Sequence, residues 1–169
     1  RTRKIAILAA DGVDGDALSA MQTALKAAGA QTMLVAPRSG SLKTAQGREM
    51  KIDFSLLTTG SVLFDAVYIP GGEQSVQTLL RTPKAQMFVQ EAYLHCKAIA
   101  AVAAGVDLVQ HAITAPGMPN SKEKSGDVQH DEGLVVAREA SAKQVAARFI
   151  KAIEPHRHWA REKALASPL

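Results

Sequence analysis

The chain's most constraining feature is a series of short, unbroken apolar runs, each followed by a turn. The first run, Lys4–Ala10, has the pattern of a strand buried on both faces, as in a parallel sheet. Asp14 follows as a predicted helix N-cap, Gly29 ends the helix, and Gln31–Pro37 is the next predicted strand. Between them, apolar residues recur at helical spacing: Leu18, Met21, Leu25 and Ala28. Strand, helix and strand in succession predict a parallel βαβ unit.

The same alternation continues along the chain. The pattern predicts a strand at Asp65–Ile69 that ends at Pro70-Gly71-Gly72 and a helix that Thr82 caps, with Pro83 at its first position, running to about His95. It also predicts a strand at Ala98–Ala103 and a short helix at Gly105–Gln110.

Three further segments complete the predicted fold. Polar residues 40–51 indicate a small exposed hairpin, Pro116–Asp127 a surface loop, and Val128–Arg138 two short strands around a turn. Ser141 is predicted to cap a last amphipathic helix, which Pro155 ends, and a short helix is predicted around His156–Ala164. Residues 1–169 are therefore expected to form a single α/β domain. We predict a flavodoxin-like three-layer sandwich with a mostly parallel central sheet and small β-hairpin additions.

The composition and charge of the chain argue against nucleic acid and membranes as binding partners. A formal charge of +4 is too modest to indicate nucleic acid, and no basic stripe is interleaved with aromatic residues. The basic C-terminal run is interpreted as a solvated helix face or a contact with a neighbouring domain; it comprises His156, Arg157, His158, Trp159, Arg161 and Lys163. No apolar run approaches transmembrane length and no signal-peptide pattern is present, so no membrane partner is expected and a cytoplasmic location is favoured.

One cysteine, Cys96, excludes an internal disulfide and any cysteine-based metal cluster. It lies in an apolar stretch and is predicted to be a buried small hydrophobe rather than a reactive thiol.

In an open parallel sheet, ligands bind at the carboxyl ends of the strands. Of the three turns expected there, Ala103–Asp107 has the strand–turn–helix layout of a nucleophile elbow, in which one side chain stands exposed above the sheet. Here that position is Ala103, and no Ser, Cys, Thr or Lys lies at the turn. No histidine is next to it. The sequence therefore predicts no nucleophilic catalysis, no cofactor and no metal at this turn.

The other two turns leave alternatives open. Gly71-Gly72 could present backbone amides to an oxyanion, or could be glycine for steric reasons alone. The acids of the turn Ala10–Asp16 could share a metal or a proton, or could serve as a helix cap and solvated groups; they are Asp11, Asp14 and Asp16. A response-regulator receiver would need a phosphoryl-accepting aspartate where this chain has Pro70-Gly71-Gly72. A flavodoxin would need hydroxyl groups to bind the FMN phosphate in the loop at residues 9–13, which has no Ser or Thr. Neither class of protein is therefore expected.

The segments Lys4–Gly15, Asp65–Gly72 and Ala101–Gly105 resemble the PfpI-type superfamily, related to class I glutamine amidotransferases. The resemblance implies a catalytic Glu, Cys and His at three positions, which in this chain are Ala17, Ala103 and Ala104. The superfamily's protease or deglycase chemistry is therefore not expected, although its chaperone behaviour remains open.

The chain more closely resembles the C-terminal domains of large-subunit haem catalases, over essentially its whole length. The most specific segments are Asp65–Gly72, Glu91–Ala100 and His156–Arg161. The resemblance implies a tetrameric parent enzyme that converts hydrogen peroxide to water and oxygen, with haem in a core outside this chain. Neither Tyr68 nor Tyr93 is in a haem-ligand setting. The start without Met is expected of a processed protein or of a piece of a longer polypeptide.

The expected function is thus a non-catalytic accessory domain that contributes stability, subunit packing and the shape of the peroxide entrance. Its expected partners are the catalase core and neighbouring subunits. Two alternatives remain. One is a stand-alone chaperone or binding module for unfolded client proteins; the other is a small hydrolase or glyoxalase that uses Asp14, Asp16 and Glu73.

Overall fold

The computed structural model describes residues 2–113, 129–131, 133–140 and 142–161. Strands are β1 (Lys4–Leu8), β2 (Gln31–Ala36), β3 (Ser41–Lys43), β4 (Glu49–Lys51), β5 (Phe54–Ser55), β6 (Ala66–Ile69), β7 (Ala98–Val102), β8 (Gln129–Asp131) and β9 (Leu134–Ala137). Helices are α1 (Gly15–Ala27), α2 (Glu73–Leu80), α3 (Pro83–Leu94), α4 (Gly105–Ala112) and α5 (Ala142–Ile153), with a 3₁₀ turn at Ser61–Leu63.

The central sheet has seven strands in the order β5-β2-β1-β6-β7-β9-β8. All neighbours are parallel except β8 and β9, which form the antiparallel pair predicted for residues 128–138. The predicted βαβ unit is confirmed, since Ile5 pairs with Thr32 and Ile7 with Leu34 in parallel register. The mostly parallel sheet of the sequence prediction is therefore correct.

Helices cover both faces of this sheet. Ile5 and Ile7 of β1 pack in one apolar cluster with Leu18 of α1 and Phe149 of α5. The alternate residues Ala6 and Leu8 pack in a second cluster with residues of α2, α3 and α4. Because successive side chains of a strand point to opposite faces, burial of both sets explains the unbroken apolar sequence of β1.

Several local predictions are confirmed. The Asp14 side chain caps α1, and Pro83 is the first residue of α3. In α5, the predicted apolar positions Val145, Phe149 and Ile153 are buried. The cysteine Cys96 is buried as well.

Other local predictions are wrong. Ala28 is exposed, because α1 ends at Ala27 and Ala28 is its C-cap residue. Thr82 does not cap α3 with its side chain; its hydroxyl donates instead to the Thr78 carbonyl of the preceding helix, at 2.7 Å. The loop Pro116–Asp127 and the cap Ser141 lie outside the described residues, as does residue 162 onward of the predicted last helix.

The hairpin of β3 and β4 forms as predicted but is not fully exposed. Leu42 and Thr44 are buried, and a Cβ placed on Gly15 would lie 2.8 Å from the Thr44 side chain. The hairpin therefore packs on the start of α1. Strand β5, the 3₁₀ turn and α2 form without having been predicted. The first two have only two and three residues, which is too short for a clear periodicity.

The C-terminal basic run is not simply a solvated face. Arg161 is fully buried, and its Nη1 donates to the carbonyls of Tyr93 and Lys97, both at 3.0 Å. Its guanidinium lies over the Tyr93 ring, 4.3 Å from the centroid. A Cβ on Gly133 would collide with the His158 ring, so this ring too packs against the domain. Within the described part of the chain, no helix has the length and apolarity that crossing a bilayer requires.

Lys97 is a second buried cation at the same end of the sheet. Its Nζ donates to the Ser61 carbonyl at 2.7 Å. Burial, and then the nearby charge of Arg157, lower the pKa of Lys97 from 10.5 to about 8, against the opposing effect of Asp65 and Glu91. Folding therefore makes the Lys97 ammonium easier to deprotonate, although the charged form still predominates at neutral pH.

This pKa predicts a pH-dependent contribution of Lys97 to stability. Between the folded pKa of about 8 and the unfolded value of 10.5, the folded chain binds fewer protons than the unfolded chain, so the contribution rises with pH across this window and is flat below it. Urea unfolding of wild type and of Lys97→Met, from about pH 7 to about pH 10, measures this contribution. It is the difference between the two proteins in the free energy of unfolding at each pH. Lys26→Met controls for losing one positive charge. A difference that does not change with pH would contradict the prediction.

Candidate functional site

The turn between β7 and α4 has the backbone of an elbow. Ala103 adopts φ +48°, a left-handed conformation that costs an L-residue about 1–2 kcal/mol. The turn is fixed by hydrogen bonds: the Ala103 amide donates to the Ala137 carbonyl at 2.9 Å, and the Val106 amide to the Ala103 carbonyl at 3.2 Å. The Ala103 side chain is exposed, as the predicted layout requires. A strained backbone thus presents only a methyl group.

Glycines let the neighbouring segments approach this turn closely. A Cβ on Gly105 would lie 2.5 Å from the Ile69 carbonyl oxygen, and one on Gly71 would lie 2.9 Å from the Ala103 Cβ. Gly72 has φ +108°, and its Cβ would lie 2.5 Å from the Gly12 oxygen. Side chains are therefore excluded by backbone at Gly72 and Gly105. The steric explanation of Gly71-Gly72 is sufficient without an oxyanion.

The acids of the first turn are engaged in structural contacts. The Asp14 carboxylate accepts hydrogen bonds from the amides of Asp16 and Ala17, at 3.1 and 3.2 Å. The Asp11 carboxylate accepts from the Lys43 amide at 2.9 Å and from Arg38 at 3.1 Å, and so ties the turn to the hairpin. Asp11 was expected to be a solvated group, but it is bound to the hairpin. Asp16 is exposed to solvent, as expected. Across the residues that the structure describes, no group of three or more His, Cys, Asp and Glu could hold a metal ion.

An open cleft of about 610 Å³ lies between this turn and the hairpin. Its lining includes Asp11, Arg38, Lys43, Glu49 and Gln74. The cleft carries charges of both signs, and the Arg38–Asp11 ion pair stands at its wall. This composition suits polar contacts between the two segments. The lining also includes the hydroxyl groups of Ser41, which donates to the Glu49 carboxylate, and of the buried Thr44, beside the exposed amine of Lys43.

The positions compared with catalytic residues carry no reactive groups. Ala17 lies in the first turn of α1, and Ala103 and Ala104 precede α4, so all three lie at the carboxyl edge of the sheet. The acids of the hydrolase alternative are not assembled with a nucleophile: Asp14 is a helix cap, and Asp16 and Glu73 are exposed at the starts of α1 and α2.

Tyr68 lies beneath this edge in the apolar cluster under α1 and α5. Its ring is 6.3 Å from that of Phe149, and the residue is fully buried. Burial, and then the Asp14 carboxylate, raise the pKa of Tyr68 far above its usual range. It is therefore a neutral packing residue, as the sequence predicted.

No sequence pattern predicted the burial of Lys97 and Arg161. Their partners are backbone carbonyls of residues distant in the chain, so no local pattern marks them.

The chain is similar to known proteins over nearly its full length. Residues 1–163 match the family described as "C-terminal domain found in long catalases". The chain is 38% identical to catalase HPII of Mycobacterium avium over 164 residues, which cover 95% of the chain and 23% of that relative. It is 32% identical to catalase HPII of Pseudomonas putida over 162 residues, which cover 96% of the chain and 20% of that relative. The chain thus spans about a fifth of the length of these curated relatives.

The fold also matches solved structures. Oxidized DJ-1 of Toxoplasma gondii superposes with a TM-score of 0.77 at 17% identity, covering 98% of the chain and 96% of that structure. This likeness places the domain among DJ-1/PfpI-like, flavodoxin-like folds, as the sequence predicted.

The left-handed backbone at Ala103 predicts an unusual response to glycine. Ala103→Gly relieves the φ strain but gains unfolded-state entropy, so the free energy of unfolding should stay unchanged or rise by up to about 1 kcal/mol. The same substitution in the middle of α1, Ala20→Gly, should lower it by about 1 kcal/mol. Thermal and urea unfolding of both variants make the comparison. Equal losses at the two sites would show that Ala103 is not held in a strained conformation.

Proposed function

The chain belongs to the family of C-terminal domains found in long catalases, and on that premise we propose that it is a non-catalytic accessory domain of a haem catalase. The parent polypeptide decomposes hydrogen peroxide to water and oxygen, and its core lies outside this chain. The domain contributes stability and subunit packing in a tetramer and helps to shape the entrance for peroxide. A cytoplasmic location stays a prediction.

The observation that carries this proposal is the elbow at Ala103. Its left-handed backbone, its close-packed glycines and its exposed apex are the features that a nucleophile would need. The apex is a methyl group, and Ala17 and Ala104 are equally inert. An architecture that supports catalysis in an enzyme is here retained without reactive groups, which favours a structural role.

Neither of the chain's two tyrosines fits the role of a haem ligand. A tyrosine that binds haem iron must reach it and bind as the phenolate. Tyr68 is enclosed in the apolar core with a raised pKa, and Arg161 covers the ring of Tyr93. Haem therefore belongs to the catalase core in this proposal, and no step of peroxide chemistry is assigned to this domain.

Spectroscopy and truncation test the proposal. The isolated 169-residue chain, incubated with haem, should show neither a Soret band nor peroxide decomposition, whereas the intact polypeptide should show both. Deleting the domain from the intact polypeptide should lower its midpoint of thermal inactivation and leave turnover per haem within about twofold, because a structural part stabilises the fold without touching the reacting atoms. Loss of turnover per haem in a deletion that remains folded would contradict a non-catalytic role.

Chaperone activity of the separated domain is a second candidate. It is favoured by large apolar side chains that stand exposed, Leu57 and Val62 among them. Aggregation of a heated client protein, followed by light scattering, should be suppressed at near-stoichiometric ratios of the domain. Absence of any protection would reject this candidate.

A further inference from the structure

The exposed apolar side chains are gathered on one side of the molecule. Among the described residues, the large hydrophobic side chains that stand exposed are Phe54, Leu57, Val62, Leu63, Met87, Leu94 and Trp159. We call the surface that they form the α3 face. Val62 is 74% exposed and Leu57 65% exposed, whereas none of these side chains belongs to α1, α2, α4 or α5. Apolar groups concentrated in this way mark an interaction surface more often than scattered ones do.

Contacts connect the members of this face. Segment 56–60 and α3 enclose a groove of about 270 Å³, which Leu57 and Met87 line. Phe64 contacts both Phe54 and Phe88, with ring centroids 5.8 Å apart in each pair. Leu94 follows Met87 by two helical turns and so lies on the same side of α3. Trp159 stands beside the end of α3, because the neighbouring His158 amide donates to the Cys96 carbonyl at 2.8 Å.

Buried and bridging cations hold the face in shape. The Lys97 amine donates to Ser61, the first residue of the 3₁₀ turn that presents Val62 and Leu63. Lys84 donates to the Leu57 carbonyl at 3.3 Å. Arg161 fixes the C-terminal segment by its bonds to the carbonyls of Tyr93 and Lys97. A surface ordered before binding loses less entropy when a partner covers it.

The charge of this surface limits the partner. Lys84 and Glu91 both line the groove, so cations and anions are mixed at its edge. Nucleic acid and anionic membranes would need a basic surface. An apolar centre with a mixed polar rim is typical of a protein–protein interface.

We propose that the α3 face is the surface on which the catalase core of the parent polypeptide docks, an inference that rests on the function proposed above. The chain covers only 23% and 20% of the two relatives, so about four-fifths of such a polypeptide lies outside the domain and is covalently joined to it. Tethering gives the core an effective concentration of about millimolar, which no free partner approaches. An apolar face on a tethered domain is therefore covered by the core before any other protein reaches it.

Introducing negative charges into the α3 face tests the proposal. In the intact polypeptide, Val62→Asp/Met87→Glu should speed the release of the domain by limited proteolysis by about a hundredfold, the factor expected when two largely exposed apolar side chains are no longer covered by the core. In the isolated chain the same variant should unfold at the wild-type midpoint, because both side chains are already exposed there. Ala20→Glu, on the exposed side of α1, is the matched control and should change neither measurement.

Hydrogen exchange gives an independent readout. Amides of residues 54–63 and of α3 should exchange more slowly in the intact polypeptide than in the isolated chain, whereas α1 and α5 should exchange alike in both. Equal exchange of the α3 face in the two proteins, with unchanged proteolysis of the charged variant, would overturn the docking surface and leave the proposed function standing.

Two other outcomes also decide the matter. If the isolated chain dimerises in sedimentation and Val62→Asp/Met87→Glu abolishes the dimer without affecting proteolysis of the intact polypeptide, a second copy covers the face and the inference is wrong. If the intact polypeptide shows no Soret band, the proposed function fails, and the docking of a catalase core fails with it. The spectrum therefore separates failure of the function from failure of the surface.

Discussion

Burial of the central strands on both faces is the constraint from which the rest of the structure follows. Ile5 and Ile7 face α1 and α5, while Ala6 and Leu8 face the opposite helical layer, so neither face of the sheet is open to a ligand. Access is left only at the strand ends and on the outer sides of the helices. The elbow lies at the carboxyl edge of the sheet, and the buried side chains of Lys97 and Arg161 lie at its amino edge. The exposed apolar side chains form the α3 face. Each of these regions has a different physical character.

The carboxyl edge has the backbone of an elbow with a methyl group at its apex. Gly105 approaches the Ile69 carbonyl too closely for a side chain, and Gly72 is held at φ +108°. These contacts join β6, β7 and the start of α1, so relaxing the elbow would disturb the packing of three elements. Replacing a reactive side chain by the methyl group of Ala103 disturbs none of them. The strain at this turn is therefore compatible with a purely structural role, since the surrounding packing maintains it.

Two buried basic side chains that donate to backbone carbonyls organise the amino edge. Lys97 holds the 3₁₀ turn at Ser61, and Arg161 holds the end of α3 and the strand that follows it. Buried charges are costly unless they are hydrogen-bonded, and each of these bonds joins its side chain to a segment that is distant in the chain. The same bonds position the apolar residues of the α3 face. Stability of the domain and the shape of its proposed docking surface thus depend on the same two side chains.

Sequence patterns alone predict the parallel sheet, four of the five helices that cover it in the described residues, and an elbow whose apex is alanine. Each of these depends on local signals: unbroken apolar runs, the Asp14 cap, Pro83 at a helix start, and alanine at position 103. The burial of Arg161 and Lys97, the packed side of the hairpin and the exposure of Val62 and Met87 depend on the tertiary structure. The physical reason is distance along the chain. Arg161 binds the carbonyl of Tyr93, 68 residues away, and a contact of that kind leaves no periodicity in the sequence that could predict it.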